Sequence, residues 1–188
     1  MTEFTEEKVG RYQIKVGNFP DGYRFAININ GGLFKRGVEN TREKAFETAR
    51  NLISNENSER LASRIDGVPT AEEFKEALSQ VRVSDSQWDM LKAHYNAQGK
   101  KLSSTQLATA AGYDHLSVAN MQYGALGHKL ADELNYQPPG KYKNGDPLWI
   151  TVLVHDSGIS YEEDSGHFQH ELREEVAKAL ELLGEVGR

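Results

Sequence analysis

The chain has 188 residues, with 22 Lys and Arg against 28 Asp and Glu, six His and no Cys. That length fits one large domain or two small ones, and 38% hydrophobic content supports packed cores, above the level of a disordered chain. The lack of Cys excludes disulfides, thiolate zinc sites and Cys nucleophiles. With no long apolar run and no basic-then-apolar start, neither a membrane span nor a secretory signal is expected, and the expected address is cytoplasmic.

The net charge of −6 is placed unevenly. Residues 1–84 carry 13 basic and 13 acidic side chains, residues 85–155 carry six of each, and residues 156–188 carry nine acids against Arg173, Lys178 and Arg188. Charge therefore argues against a chain that coats nucleic acid along its whole length, but leaves room for such a surface upstream of residue 156.

In chain order, MTEFTEEKVG (1–10) is polar and reads as a frayed end. RYQIKVG (11–17) and YRFAININ (23–30) alternate, with Tyr12, Ile14 and Val16 on one face of the first and Tyr23, Phe25, Ile27 and Ile29 on one face of the second. Period-two alternation predicts half-buried strands, and FPDG (19–22) between them is turn chemistry. NGG (30–32) turns the chain into a third strand over 33–38. Thr41 is the predicted cap of a helix whose stripe is Ala45, Phe46, Ala49, Leu52 and Ile53. This makes a β-β-β-α unit. A helical stretch follows over 57–66, and Pro69 opens another with Phe74, Ala77, Leu78 and Val81 inward.

The second half changes character. Residues 86–98 predict a helix with Trp88, Leu91 and Tyr95 on one side, closed by Gly99, and 104–113 a short helix ending at Gly112. After a turn at 113–115, a longer helix covers 116–135. QPPGKYKNGDP (137–147) breaks all helix. PLWITVLVH (147–155) reads as a buried strand with which GISYE (158–162) pairs back, and 167–183 as an amphipathic closing helix with Phe168, Leu172, Val176, Ala179, Leu180 and Leu183 inward. The expected architecture is α+β, a small β-β-β-α module with trailing helices over 1–84 followed by a winged helix-turn-helix-like module over 85–188.

Helix, short helix, turn, longer helix and strands is the order in which a helix-turn-helix presents its second helix to the major groove. With Val118, Met121 and Ala125 inward, Asn120 and Tyr123 face outward with Ala119 and Gly127 beside them, and Gln122 lies at the flank. Asn suits bidentate pairing with adenine, while Tyr123 and Ser117 suit phosphate. Lys100, Lys101, Lys129, Lys141 and Lys143 are the candidate phosphate contacts, with His115 beside them. Helix-turn-helix packing also occurs in proteins that touch no DNA; Gly124 and Gly127 then serve only the close approach of another element. The position of Leu130 suggests a bend near these glycines.

The stretch 106–134, with WDMLKAHY before it and PLWITVLV and ELREEVAKAL after it, resembles a module associated with bacterial McrA-type HNH endonucleases. The marks are Gln106–Leu107–Ala108, Gly112–Tyr113, Asn120, Tyr123–Gly124, Leu126–Gly127, Trp149 and Ala179–Leu180. The resemblance covers about 100 residues and implies a DNA-binding accessory domain; the HNH metal motif and zinc cysteines are absent, so cleavage is not implied. In the N-terminal module, a strand pair followed by Gly37-x-x-x-Thr41-x-x-x-Ala45-x-x-x-Ala49 is similar to the HicB antitoxin fold and to double-stranded-RNA-binding topology. Arg24, Lys35, Arg36 and Arg42 form a candidate basic strip there, with acids interspersed. The module reads as a partner-binding or a dimerisation block.

Catalytic signals are weak. His167-x-x-His170-Glu171 does not match HExxH, His155–Asp156–Ser157 are sequence neighbours and so cannot build a triad, and no Walker loop, GxGxxG or GxSxG is present. The expectation is a non-enzymatic protein without cofactor or metal that binds double-stranded DNA in restriction, regulation or a mobile element. The alternative is a phage- or plasmid-encoded inhibitor of a bacterial defence nuclease complex, anti-CRISPR or anti-restriction. It would act through the acidic surface of Glu162, Glu163, Asp164, Glu174 and Glu175. A homodimer stays open, and no membrane partner is expected.

Overall fold

The computed structural model describes residues 3–29, 31–155 and 169–187. Strands β1 (Phe4–Val9), β2 (Tyr12–Phe19), β3 (Gly22–Ile29) and β4 (Gly32–Glu39) form an antiparallel sheet in chain order. The frayed end is thus corrected: β1 pairs with β2 from Phe4↔Gly17 to Val9↔Tyr12. An edge strand needs few apolar residues, because its backbone pairing and one solvated face tolerate Glu and Lys.

Helix α1 (Arg42–Ser63) crosses one face of the sheet. Thr41 caps it, accepting from the Lys44 amide at 3.2 Å, and Ala45, Phe46, Ala49 and Ile53 pack with Tyr12, Ile14, Val16, Phe25 and Ile27. The helical stretch expected over 57–66 is the end of α1, which runs unbroken to Ser63, held by the Tyr12 hydroxyl to Asn57 (3.3 Å) and by Lys35 to Glu56 (3.6 Å).

The compact units are 1–64 and 65–188, where the sequence suggested a boundary near 84. Helix α2 (Ala71–Gln80) accounts for the difference: Phe74, Ala77 and Leu78 are buried in the core of the second unit. The core also takes α3 (Asp85–Asn96), α4 (Ser104–Ala110), α5 (Leu116–Leu134) and α6 (Glu174–Leu183).

The apolar run 147–155 is buried as expected, but it is not a strand. It forms a 3-10 turn over Trp149–Val152, flanked by isolated bridges of Pro147 to Lys141 and of Val154 to Leu172. An uninterrupted apolar run specifies burial on every side, and that condition fits a packed turn as well as a strand. The closing helix begins at Glu174 instead of 167, because β6 (Gln169–Glu171) precedes it and pairs with β5 (Lys101–Ser103). The expected strand at 158–162 and Phe168 lie outside the described residues.

The segment from β6 to Arg173 is central. On one side the Leu172 amide donates to the Lys100 carbonyl; on the other, the His155 amide donates to the Glu171 carbonyl and the Arg173 amide to the Leu153 carbonyl, all at 2.9 Å. Strand β5, between α3 and α4, thus pairs with β6, whose continuation in turn meets residues 153–155 beyond α5.

Candidate nucleic-acid interface

Local chemistry sets the ends of the helices. Thr70 with Glu73, Ser84 with Gln87 and Ser103 with Gln106 each form a reciprocal capping box at the start of α2, α3 and α4, each cap contributing roughly 1 kcal/mol. Helix α4 ends in a Schellman turn. Gly112 adopts φ +69°, its amide donates to the Thr109 carbonyl (3.2 Å), and the Tyr113 amide donates to the Ala108 carbonyl (2.9 Å). The Tyr113 hydroxyl then donates to Ser86 Oγ at 2.7 Å, tying the turn to α3.

A buried polar line locks these helices together. His94 on α3 is fully buried; its Nε2 lies 2.8 Å from the His170 carbonyl and its Nδ1 3.1 Å from the Tyr123 hydroxyl on α5. A carbonyl only accepts, so Nε2 carries the proton and Nδ1 accepts from the tyrosine. Burial pushes the pKa of His94 down to about 4, against the opposing pull of its hydrogen bond to the His170 carbonyl. Burial also raises the Tyr123 phenol well above its ordinary range. The His170 ring reaches Ser104 Oγ at 3.2 Å, and both residues are shut off from solvent, so this Ser–His pair fastens β6 to α4. Gln87 Nε2 adds a bond to the Gln122 carbonyl at 2.9 Å.

This packing corrects the predicted rotation of α5. Its buried stripe is Ala119, Tyr123, Leu126, Gly127, Leu130, Ala131 and Leu134. Tyr123 is 0% exposed and leaves the candidate interface, whereas Met121, taken as inward, is 61% exposed. Asn120 is half-buried with its Oδ1 enclosed, and Ser117 is exposed as expected. The outward stripe is Ser117, Met121, Ala125 and His128, with Gln122 at its flank. Residues 115–131 contain no Asp or Glu. Leu130 belongs to the buried stripe, and α5 continues unbroken through both glycines. A 3.6-residue period through Ala119, Tyr123, Leu126, Leu130 and Leu134 was present in the sequence to find this face.

The predicted lysines are dispersed. Lys101 pairs with Glu171 (3.1 Å), Lys129 Nζ donates to the Arg82 carbonyl (2.9 Å), and Lys100 Nζ lies 5.4 Å from the centre of the Tyr95 ring. Lys141 and Lys143 are exposed on the 140–147 turn. His115 is exposed at the cap of α5, and His128 stacks on Trp149 with ring centres 4.0 Å apart.

Of the predicted acidic surface, Glu162, Glu163 and Asp164 lie outside the described residues, Glu174 is exposed and Glu175 is half-buried. Neighbouring acids are engaged: Glu181 accepts from Tyr95 (2.7 Å) and Glu185 pairs with Lys92 (2.8 Å).

In comparison with known proteins, no family model, no curated protein and no solved structure matches this chain. Among the described residues, no helix is long and apolar enough to cross a membrane.

Proposed function

We propose that the second unit is a non-enzymatic DNA-binding domain that presents α5 to the major groove. The carrying observation is the exposed stripe of Ser117, Met121, Ala125 and His128, free of acids until Asp132, which lies 3.7 Å from the His128 ring, on a helix pinned from behind by Tyr123 and His94. Small and apolar side chains allow close approach to base edges and contact with a thymine methyl; Ser117 and Gln122 supply hydrogen bonds. The pairing of β5 with β6, the order expected of a winged helix-turn-helix, and the resemblance to the accessory module of McrA-type HNH endonucleases support the same reading. Such a protein would serve restriction, regulation or a mobile element.

Binding of the full chain to a labelled duplex tests this, read by fluorescence anisotropy at about 50 and about 200 mM salt. The expected result is salt-weakened binding that Ser117→Glu with Met121→Glu reduces by about tenfold or more, the scale of one or two lost base contacts. No binding at the lower salt sinks the reading. Binding indifferent to the double change removes α5 from it.

A further inference from the structure

The sheet of the first unit has a second face, turned away from α1. The strand register arranges its side chains in three rows across all four strands: Lys8–Gln13–Asn28–Leu33, Glu6–Lys15–Ala26–Arg36 and Phe4–Gly17–Arg24–Val38. Three strand spacings make each row about 14 Å wide, and successive rows lie about 7 Å apart. The predicted basic strip is thereby split: Lys35 pairs with Glu56 on the α1 side and Arg42 lies near Tyr23, while Arg24 and Arg36 stay on the open face.

This face has the opposite sign to the chain. It carries Lys8, Lys15, Arg24 and Arg36 against Glu6 alone, in a protein of net charge −6. Lys15 is held by Glu6 at 2.8 Å, and Arg24 by Asp21 of the adjoining turn at 2.9 Å. Lys8 and Arg36 are exposed and have no ion-pair partner among the described residues.

The third row is apolar apart from Arg24, and stacked. Phe4 is 54% exposed, its ring meets Phe19 edge-on with centres 6.1 Å apart, and the Arg24 guanidinium lies 4.7 Å from the centre of the Phe19 ring. Gly17 makes room for them, since a Cβ there would meet the Phe4 ring at 2.8 Å. An accessible ring offers its surface to any unpaired base, and cations one and two rows away suit a phosphate backbone. A second copy of this chain is a poor fit, because it would bring the same positive face.

We propose that this open sheet face binds single-stranded nucleic acid, with a base against Phe4 and phosphates on Lys8 and Arg36. It rests on the nucleic-acid reading of the chain and adds a second surface for a second form of the ligand.

The test uses the full chain, a labelled single-stranded oligonucleotide and the matching duplex, over about 50–200 mM salt. The variants are Lys8→Gln with Arg36→Gln, Phe4→Ala, and Ser117→Glu with Met121→Glu on α5. Neutralising Lys8 and Arg36 is expected to weaken single-strand binding about tenfold or more at the lower salt and to flatten its log–log salt slope by about 1.4, two phosphates' worth. Phe4→Ala is expected to weaken it by about fivefold or more. Because Phe4 also packs on Phe19, the exposed lysine–arginine pair decides the matter if Phe4→Ala loses sheet signal in circular dichroism. The α5 change should leave single-strand binding intact. The proposal is overturned by absence of single-strand binding, by an affinity and slope indifferent to the Lys8/Arg36 change, or by loss of duplex binding alone in that variant. Self-association that the same change abolishes, without oligonucleotide binding, overturns it in favour of a dimer. Retained single-strand binding beside duplex binding indifferent to the α5 change leaves the sheet proposal standing and removes only the α5 assignment.

Discussion

Burying an imidazole with only a carbonyl and a hydroxyl for company makes its protonated form costly, and His94 sits in that position. Its pKa falls from the ordinary 6.5 to about 4 in the fold. Between those values the unfolded chain binds more protons, so stability must fall as pH drops through 6.5, and the loss levels off below about 4. The loss is about 2 kcal/mol by pH 5 and about 3 kcal/mol in full. Urea titrations at about pH 7 and about pH 5 measure it. His94→Gln keeps a neutral donor and acceptor, so it should start less stable yet show a flatter pH slope; an unchanged slope would assign the effect to other groups. The same pair explains the error in reading Tyr123. A tyrosine on a helix surface looks like a polar contact, but its ring gains more from burial once the hydroxyl has a partner. That partner is 29 residues away in the sequence.

At the level of elements, α5 carries two glycines with opposite roles. A Cβ on Gly124 meets nothing within 4 Å, whereas one on Gly127 runs into the Trp149 carbonyl. Gly124→Ala should therefore stabilise the protein by about 0.5–1 kcal/mol through helix propensity. Gly127→Ala should destabilise it by about 1–3 kcal/mol, because the 3-10 turn must move. Thermal unfolding of the two variants checks the contrast, and equal shifts would refute the close approach. Spacing identified both glycines as candidate approach points without telling them apart, since the approaching backbone comes from 22 residues further on. Helix ends were more legible. Thr41 and Gly112 act through neighbours within three residues or so, and both behave as their chemistry predicts. The run 147–155 was legible as buried and not as a shape.

Across the whole molecule, the decisive element is α2, because it moves the boundary between the units. Phe74→Ala should cost about 3–5 kcal/mol in the second unit, the usual penalty for emptying a fully buried aromatic site. Hydrogen exchange reads the distribution: amides of α5 and α6 should lose protection, and those of β2 and β3 should keep theirs. Loss in the sheet instead would return 65–84 to the first unit. The two surfaces proposed for nucleic acid belong one to each unit, and neither depends on the other's core. Alternation by twos, capping residues and turn glycines determined the strands β2 to β4, the start of α1 and the short-helix–turn–long-helix order, because those signals act within a few residues. Tertiary structure alone decided which side of α5 faces out, which bases share the open sheet face and where the units divide. Each depends on a partner distant in sequence: His94 for Tyr123, paired strands for Lys8 and Arg36, and α5 and α6 for α2.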